Sequence, residues 1–299
     1  MTSNSPILSP TGRGEQGNPI EFRDRLMVIA TMHRKELAIA PIVQTSLGVR
    51  VTVPQDFNSD LFGTFTRDID RPANQVETAK LKAEKALELI NADLSIASEG
   101  SFFPHPILGI PYNREIVFLL DKKHNFNVYG ECLSTDTNFR HQEISSYEQA
   151  YDFALKIGFP DHAIVLMPDA TTSAKEAIYK GITSENLLKV SVRELLKQSP
   201  QIHIETDMRS LYNPTRMSNI AKATEELVRK LQQLCPNCNF VNFDVAERLR
   251  GLPCELCGLP TQVTRAHVYR CDRCQFQQEV LFPDEVQTAD PMYCSYCNP

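Results

Sequence analysis

The stretch LMVIATMHRKE, residues 26–36, passes from five consecutive apolar residues into a polar turn. An apolar run of this length predicts a strand that is buried on both faces, as in a parallel sheet. A helix is predicted over 33–46, closed by Gly48, and a second strand over 49–53. Strand, helix and strand in this order form a βαβ unit, which indicates an α/β fold.

Predicted helices and strands continue to alternate along the chain as far as residue 234. The predicted helices cover 75–91, 147–157, 185–198 and 214–234, and the predicted strands cover 94–97, 115–120, 127–131, 163–167 and 202–205. This alternation predicts one α/β domain over residues 23–234, with a mixed central sheet flanked by helices. Residues 1–22 are rich in Ser, Pro, Gly and Asn, which predicts a disordered N-terminal arm.

The composition is that of an ordinary globular protein, because 42% of the 299 residues are hydrophobic and 23% are charged. The apolar runs are too short to span a bilayer, and the N-terminus lacks the basic and apolar regions of a secretory signal. We therefore expect a cytoplasmic protein that does not enter the membrane. The net charge of −6 and the lack of a long basic run disfavour nucleic-acid binding through charge alone.

Cysteine is concentrated after residue 234, where eight of the nine cysteines lie, and Cys132 is the exception. The eight form four Cys-x-x-Cys pairs, Cys235/Cys238, Cys254/Cys257, Cys271/Cys274 and Cys294/Cys297. Clustered pairs indicate metal binding rather than disulfides, and soft thiolates select zinc, with an iron–sulfur cluster as the lesser alternative. Because four thiolates leave no open position on the metal, we predict two structural Zn²⁺ ions in a double zinc-ribbon domain over 235–299.

Two ways of pairing the cysteines are open. The spacings favour sequential sites, in which the first two pairs bind one ion and the last two pairs bind the other. The alternative places the second and third pairs in one site and joins the outer two pairs in the other. Either arrangement gives two closed sites of four thiolates.

The charge of the predicted zinc domain bears on its partner. Residues 235–299 contain five Arg and no Lys against eight Asp and Glu. Each zinc site makes the segment still more acidic, since four thiolates outweigh one Zn²⁺. Such a segment is a poor partner for phosphate backbones, which disfavours nucleic acid. We expect the zinc domain to act instead as an oligomerisation module or as a lid. A homodimer is one of the assemblies that it could form.

Three polar or charged side chains of the predicted body stand where α/β sheets bind ligands. After the first strand, a turn begins a helix whose free backbone N–H groups favour an anion, and Lys35 lies just beyond. Lys82 lies on an Ala-rich helix that should pack on the sheet. Glu99 precedes a glycine at the carboxyl end of a strand, where open α/β sheets bind their ligands.

These fragments together resemble the inosine-triphosphate pyrophosphatase-like superfamily, which includes the non-canonical purine NTP pyrophosphatases, the Maf proteins and the xanthosine/inosine triphosphatases. Its members end their first strand in a small-Thr-Asn turn followed by a phosphate-binding lysine, which Thr31 and Lys35 match. Their next helix carries Glu-Asn-Ala-x-x-Lys-Ala, which residues 77–83 match except at Thr78. Their next strand ends in an acid before a small residue, as in Ser98-Glu99-Gly100, residues 98–100. The zinc domain lies outside the similarity.

The resemblance implies a Mg²⁺-dependent nucleoside-triphosphate pyrophosphatase, or a hydrolase of a related phosphoanhydride, with a nucleotide or another phosphorylated small molecule as its ligand. Glu99 would hold Mg²⁺ or orient the attacking water, and Lys35 and Lys82 would hold the phosphates. Further substrate contacts are implied at Thr31, Glu77 and Arg216. An upstream metal-binding acid is implied in the loop that contains Asp56, Asp60, Asp68 and Asp70, without a choice among them.

Several residues depart from this pattern or have an ordinary structural explanation. Ser98 replaces one of the paired acids of the purine enzymes, and the segment 206–216 stands where they carry a Ser-His-Arg motif. Glu77 also fits a capping box with Asn74. These departures favour a second hypothesis, a non-catalytic nucleotide-binding or scaffolding protein with a zinc-ribbon interaction module. The whole chain also resembles an uncharacterised bacterial family known only as a domain of unknown function, which implies no activity.

One further group of polar residues lies late in the predicted body. His203, Glu205 and Asp207 alternate along a predicted strand, so their side chains share one face. Such a set can bind a metal ion, but we favour a polar edge of the sheet as its explanation.

Overall fold

The computed structural model describes residues 20–63, 73–104, 109–172 and 177–299. The chain divides into two compact units, of which one is the body, residues 22–228, and the other contains the tail, residues 229–299. The predicted N-terminal arm lies, up to residue 19, outside the described residues. Phe22, the last residue of that predicted arm, is buried in the body.

The first sheet of the body is mixed, as the sequence predicts. In the described residues it consists of β1 Leu26–Ala30, β2 Arg50–Thr52, β3 Leu94–Pro104, β4 Pro111–Asp121 and β5 Phe126–Ser134, in the order β2-β1-β3-β4-β5. The first three strands run parallel, with β1 in the middle, because α1, Glu36–Leu47, and α2, Gln75–Leu89, return the chain to the same edge. β4 and β5 then follow as antiparallel strands.

α2 packs on the first sheet through small side chains. Ala79 and Ala83 are fully buried, in one cluster with Val28 and Ala97 of the sheet. Because alanine is small, the helix approaches the strands closely and carries Lys82 into the same buried layer. The face of β3 that includes Ala97 is called the α2 face below.

The second sheet of the described body is antiparallel and contains β6 His141–Ile144, β7 Ile164–Met167, β8 Tyr179–Ile182 and β9 Ile202–Thr206, in the order β6-β9-β7-β8. α3, Tyr147–Ile157, and α4, Glu185–Leu196, bury their apolar faces against one side of it. β9 lies between β6 and β7, so the prediction that His203 and Glu205 lie on a polar edge of the sheet is wrong. Both side chains are buried.

The last helix of the body, α5, spans Pro214–Gln232. It begins at Asn213, whose side-chain oxygen accepts a hydrogen bond of 2.9 Å from the backbone N–H of Arg216. It approaches β5 at Gly130, where any Cβ atom would collide with the helix backbone at Ala223. Glycine at this position therefore permits α5 to pack on the face of the sheet opposite α2, which is called the α5 face below.

The tail contains strands that the sequence did not predict. β10, Asp244–Arg250, β11, Thr264–Arg270, and β12, Gln277–Leu281, form an antiparallel sheet in that order. All five residues of β12 are exposed, which explains the weak apolar pattern of this segment. Among the described helices of the whole chain, none combines the length and apolarity required to cross a bilayer.

Candidate functional sites

The charged site of the body forms where β3 extends past the end of β1. The register pairs Ala30 with Ala97, so Ser98 is the first residue of β3 beyond β1. Lys35 occupies this edge, and its Nζ donates a hydrogen bond of 2.9 Å to the Ser98 carbonyl oxygen. Thr31 shapes the turn before it, because its hydroxyl oxygen accepts from the backbone N–H groups of His33 and Lys35 at 3.2 and 3.3 Å. Thr31 thereby directs Lys35 into the site.

On the α2 face, a buried ion pair joins helix and sheet. Lys82 Nζ donates to Glu99 Oε1, and both side chains are buried. Gln75, at the start of α2, donates to the carbonyl oxygens of Glu99 and Arg114 at 2.7 and 2.8 Å. The helix therefore fixes both the carboxylate of Glu99 and the strand that carries it.

On the α5 face lies a second buried ion pair. Glu115 of β4 pairs in register with Gly100, so its side chain points away from the face of Glu99. Arg216 Nε donates to Glu115 Oε1 at 2.8 Å, and its Nη1 donates to the carbonyl oxygen of Met208. The Arg216 guanidinium also lies 5.1 Å from the centre of the Phe102 ring. These contacts hold Arg216 in one orientation.

The structure thus brings together four of the predicted site residues, Lys35, Lys82, Glu99 and Arg216, and adds Glu115. None of the five is more than 8% exposed. Burial, followed by the charges of Arg216 and Lys82, lowers the pKa of Lys35 to about 7 against the opposing effect of Glu99 and Glu115. With Lys35 protonated, three cations face two anions, and this excess of positive charge suits an anionic ligand.

The segment 206–216, which the sequence left without a role, closes this site on the α5 side. Besides the Met208 contact to Arg216, the hydroxyl of Ser210 donates to the carbonyl oxygen of His33 at 3.0 Å. The segment therefore supports both the turn before Lys35 and the guanidinium of Arg216. Arg209 forms an ion pair with Asp207, in which Nη2 donates a hydrogen bond of 2.6 Å to Oδ2.

Other predicted residues lie outside the charged site. Glu77 is 53% exposed and faces Lys80 at 4.0 Å, while its backbone N–H donates to Asn74 Oδ1 at 3.0 Å. The structure therefore supports the capping explanation for the position of Glu77. Asp56 is exposed, and Asp60 contacts His33 Nε2 at 3.0 Å. Two further candidates of that loop lie outside the described residues, namely Asp68 and Asp70.

Sequence reasoning missed Glu115, Asn113 and Gln75, although Asn113 and Glu115 leave a signal. They alternate at the start of an apolar run, 116–120, so both point to one face of β4. The alternation suggests a solvated strand end, whereas both side chains are buried. The missing information was the register that places Glu115 beside a glycine of β3.

His203 and Glu205 form a buried network rather than a metal centre. His203 Nδ1 lies 2.7 Å from Glu143 Oε1, and its Nε2 lies 3.6 Å from Glu205 Oε2. Burial lowers the pKa of His203, but the hydrogen bonds to Glu205 and Glu143 outweigh it, so the pKa is raised. Across the described ranges, groups of three or more potential ligands within metal-binding distance occur only among the tail cysteines. The metal hypothesis for this strand therefore has no support.

The eight tail cysteines form two groups of four that could each hold zinc. These are Cys235, Cys238, Cys271 and Cys274 in the first site, and Cys254, Cys257, Cys294 and Cys297 in the second. The closest Sγ–Sγ distances between pairs are 3.7 and 3.6 Å in the first site and 3.9 and 3.6 Å in the second. A tetrahedral ion with Zn–S bonds of about 2.3 Å requires about 3.8 Å between sulfurs. The thiolates therefore fit structural zinc.

The cysteine pairs interleave, so both the sequential and the nested predictions are wrong. The first pair joins the third, and the second joins the fourth. The antiparallel sheet gives the reason. Its register places Asp244, where β10 begins, beside Arg270, where β11 ends. It also places Ala266, near the start of β11, beside Leu281, where β12 ends. The first and third pairs thus meet at one end of the sheet, and the second and fourth at the other.

The two cysteine sites have different surroundings. In the first, Cys235 and Cys271 belong to a cluster with aromatic side chains, and Asn237 Nδ2 donates to Cys274 Sγ at 3.5 Å. The aromatic members are Phe240, Phe243, Tyr269 and Phe276. In the second, the side chains between the cysteines point outward, with Leu256 74% and Tyr296 73% exposed. The first site is therefore packed against aromatic side chains of the tail, and the second carries exposed apolar side chains beside its cysteines.

The fold and its two kinds of site define an α/β protein with a cysteine-rich tail that could bind metal. The chain belongs to the family described as "Domain of unknown function (DUF6671)", which matches residues 82–299. This range contains Lys82, Glu99, Glu115, Arg216 and all eight paired cysteines, and Lys35 precedes it. No curated protein matches the chain. The similarity to nucleotide pyrophosphatases rests on the motifs alone and stays a prediction.

Proposed function

We propose that the body binds a nucleoside triphosphate, or a related phosphoanhydride, and hydrolyses it with Mg²⁺. One observation carries this proposal, the convergence of Lys35, Lys82 and Arg216 on two buried carboxylates where β3 passes the end of β1. Buried cations without a full complement of anions cost stability, so a protein retains them where a ligand uses them. A polyphosphate supplies the missing negative charge.

The cations and the carboxylates have separate roles in this proposal. Lys35, Lys82 and Arg216 bind phosphate oxygens and offset the charge that develops as the anhydride bond breaks. Mg²⁺ is usually held by one or two carboxylates together with water and substrate phosphates. Glu99 is a donor of this kind, and it would hold the ion when Lys82 binds phosphate. When bound, Mg²⁺ neutralises phosphate charge and favours departure of the leaving group.

A second function, binding without catalysis, is favoured by the ion pairs themselves. Glu99 is engaged by Lys82, and Glu115 by Arg216. A site whose acids are already neutralised can bind a nucleotide without activating water. In that case, the protein is a nucleotide-binding scaffold, and the zinc-stabilised tail is its interaction or homodimer module.

A phosphate-release screen distinguishes the two functions. Canonical and modified nucleoside triphosphates are incubated with the full-length protein, Mg²⁺ or Mn²⁺, and inorganic pyrophosphatase. Lys82→Met and Glu99→Gln should each lower turnover at least about 100-fold, the size expected for removing one transition-state contact. The matched controls are Lys85→Met and Glu88→Gln, an exposed pair of 2.9 Å on the same helix, which should leave turnover unchanged.

Three other outcomes of the screen would each assign a different role to the buried charges. Tight binding of a non-hydrolysable triphosphate analogue without turnover of any nucleotide supports the scaffold. Turnover that survives Glu99→Gln places the chemistry elsewhere. If neither binding nor turnover occurs, the buried charges have a purely structural role and both functions are excluded.

A further inference from the structure

Glu115 combines complete burial with an unused hydrogen-bond acceptor. Its Oε1 accepts from Arg216 Nε at 2.8 Å and from Asn113 Nδ2 at 3.2 Å. Its Oε2 is buried and has no hydrogen-bond partner among the described residues. A buried carboxylate oxygen without a donor is costly to folding, so it points to a ligand of the working protein.

Two more buried oxygens without a partner in the described chain lie on the same face of the sheet. They are Asn113 Oδ1 and Ser98 Oγ. Asn113 alternates with Glu115 along β4, and Ser98 alternates with Gly100, the register partner of Glu115, along β3. The amide of Asn113 cannot turn to relieve its oxygen, because Nδ2 is committed to Glu115. The α5 face therefore carries a row of unused oxygens beside Arg216.

The chemistry of these oxygens identifies what they lack. Carboxylate and amide oxygens only accept hydrogen bonds, so Glu115 and Asn113 together require a donor of two hydrogens. An ionised phosphate has none to offer. A metal cation at this place would be repelled by the guanidinium of Arg216, which lies against Glu115. A water molecule can donate one hydrogen to each of these two oxygens. The lone pairs of the water oxygen then remain available to a third group.

We propose that Glu115 Oε2 binds and deprotonates the hydrolytic water, with Asn113 as its second acceptor. This inference rests on the proposed function. The water oxygen forms a bond to the α-phosphorus, and one of its protons passes to Glu115. The electron pair of the broken P–O anhydride bond leaves with pyrophosphate. Arg216 and Lys35 balance the negative charge of the pentavalent transition state.

Gly100 provides the space that the Glu115–Arg216 pair requires. A Cβ atom at residue 100 would lie 2.5 Å from both Glu115 Oε1 and Arg216 Nη2, and 2.8 Å from Glu115 Oε2. Gly100→Ala would therefore displace the ion pair itself, so the test of the water rests on Glu115→Gln.

The test is steady-state hydrolysis by the full zinc-loaded chain, together with binding of a non-hydrolysable triphosphate analogue. Glu115→Gln should lower kcat at least about 100-fold, the usual contribution of a general base, with KM within about threefold of wild type. The matched control is Glu131→Gln, since Glu131 on the neighbouring strand is also paired to an arginine, Arg114 Nε, at 2.7 Å. It should leave kcat unchanged.

A merely structural Glu115 would give a different pattern. Its loss would release Arg216, so analogue affinity and KM would change at least as much as kcat. A crystal structure with the analogue should also show a water within hydrogen-bond distance of Glu115 Oε2 and Asn113 Oδ1. Unchanged kcat in Glu115→Gln, or no water at that place, overturns the inference and leaves the proposed function standing. Wild-type protein without any turnover overturns both.

Discussion

The body and the tail bury different groups to stabilise their sheets. In the body, the second sheet covers an apolar cluster that includes Ile164, Ile204 and Leu188, all of them fully buried. In the tail, β12 is exposed at every residue, and the most buried side chains include Cys235 and Cys271. A segment with so little apolar burial depends on another source of stability, which metal binding at the two groups of cysteines could supply.

The tail and the body also differ in what their buried charged groups contribute to stability. Four thiolates around a bound Zn²⁺ would stabilise the tail, because the free energy of metal binding is available only to the folded state. Lys82, Glu99 and Arg216 of the body are buried in ion pairs, whose desolvation cost can exceed the Coulombic gain. The charged groups of the tail would therefore contribute to its folding once metal binds, whereas those of the body are a weak source of stability.

Removing zinc should give the largest difference between the two regions. Elemental analysis of the purified protein should show two zinc ions per chain. Structural zinc contributes about 10–16 kcal/mol to small zinc domains, so a strong chelator should unfold the tail completely. The body should keep its thermal transition, followed by circular dichroism, while the tail becomes sensitive to protease. One zinc or none in a folded tail would remove the distinction between the regions.

The pairing of the cysteines makes a sharper test within the tail. Cys235→Ser with Cys271→Ser should abolish one site and leave about one zinc per chain, because both residues belong to the first site. Cys235→Ser with Cys254→Ser damages both sites and should leave none. A sequential pairing predicts the reverse, so zinc content after dialysis decides between them.

The sequence predicted the cysteines but not how they combine, for a physical reason. Cys-x-x-Cys spacing reports a local turn, and such turns recur here: the residue four positions after the first cysteine has a positive φ at Asn239, Gly258 and Gln275. Which turns meet depends on the antiparallel register of β10, β11 and β12. That register is set by contacts between distant residues, and the weak apolar pattern of the tail gave no sign of it.

In the body, the elements with strong local signals were predicted to the residue. α3 begins after the cap Ser146 and ends at the left-handed Gly158, and β1 is a plain apolar run. β6 and β8 were missed because each has four residues and mostly polar or small side chains. Motifs predicted Lys35, Lys82 and Glu99 as site residues. The place of Glu115 depends on strand register, as the pairing of the cysteines does.

The two buried lysines of the body should affect stability in opposite directions. Lys82→Met leaves Glu99 as a buried carboxylate without its partner and should destabilise the body by about 3–5 kcal/mol. Lys35→Met removes a cation that burial disfavours, and it should raise the free energy of unfolding at pH 7 or below. Urea unfolding of the body measures both changes. If both variants are destabilised equally, Lys35 contributes to the fold as Lys82 does.

The stability of the wild-type body should depend on pH through Lys35. The pKa of Lys35 is about 7 in the folded state and near 10.5 when unfolded, so the unfolded chain binds more protons between these values. The free energy of unfolding should therefore rise with pH from about 7 to 10, by up to about 1.4 kcal/mol per unit. This contribution should be absent from Lys35→Met. The same pH slope in both proteins would assign it to other groups.

Ligand binding should show the opposite dependence on pH. A bound polyphosphate stabilises the charged form of Lys35, so binding raises its pKa from about 7 and takes up a proton. Affinity for a non-hydrolysable triphosphate analogue should therefore be highest near pH 7 and fall above it, by at most about tenfold per pH unit.

Isothermal titration calorimetry in two buffers of different ionisation enthalpy measures the proton uptake directly. Lys35→Met should bind more weakly at pH 7 and lose both the uptake and the pH slope, while the exposed control Lys85→Met should keep them. Uptake that persists in Lys35→Met would place the titrating group on the ligand or on another side chain, and Lys35 would then have no part in phosphate binding.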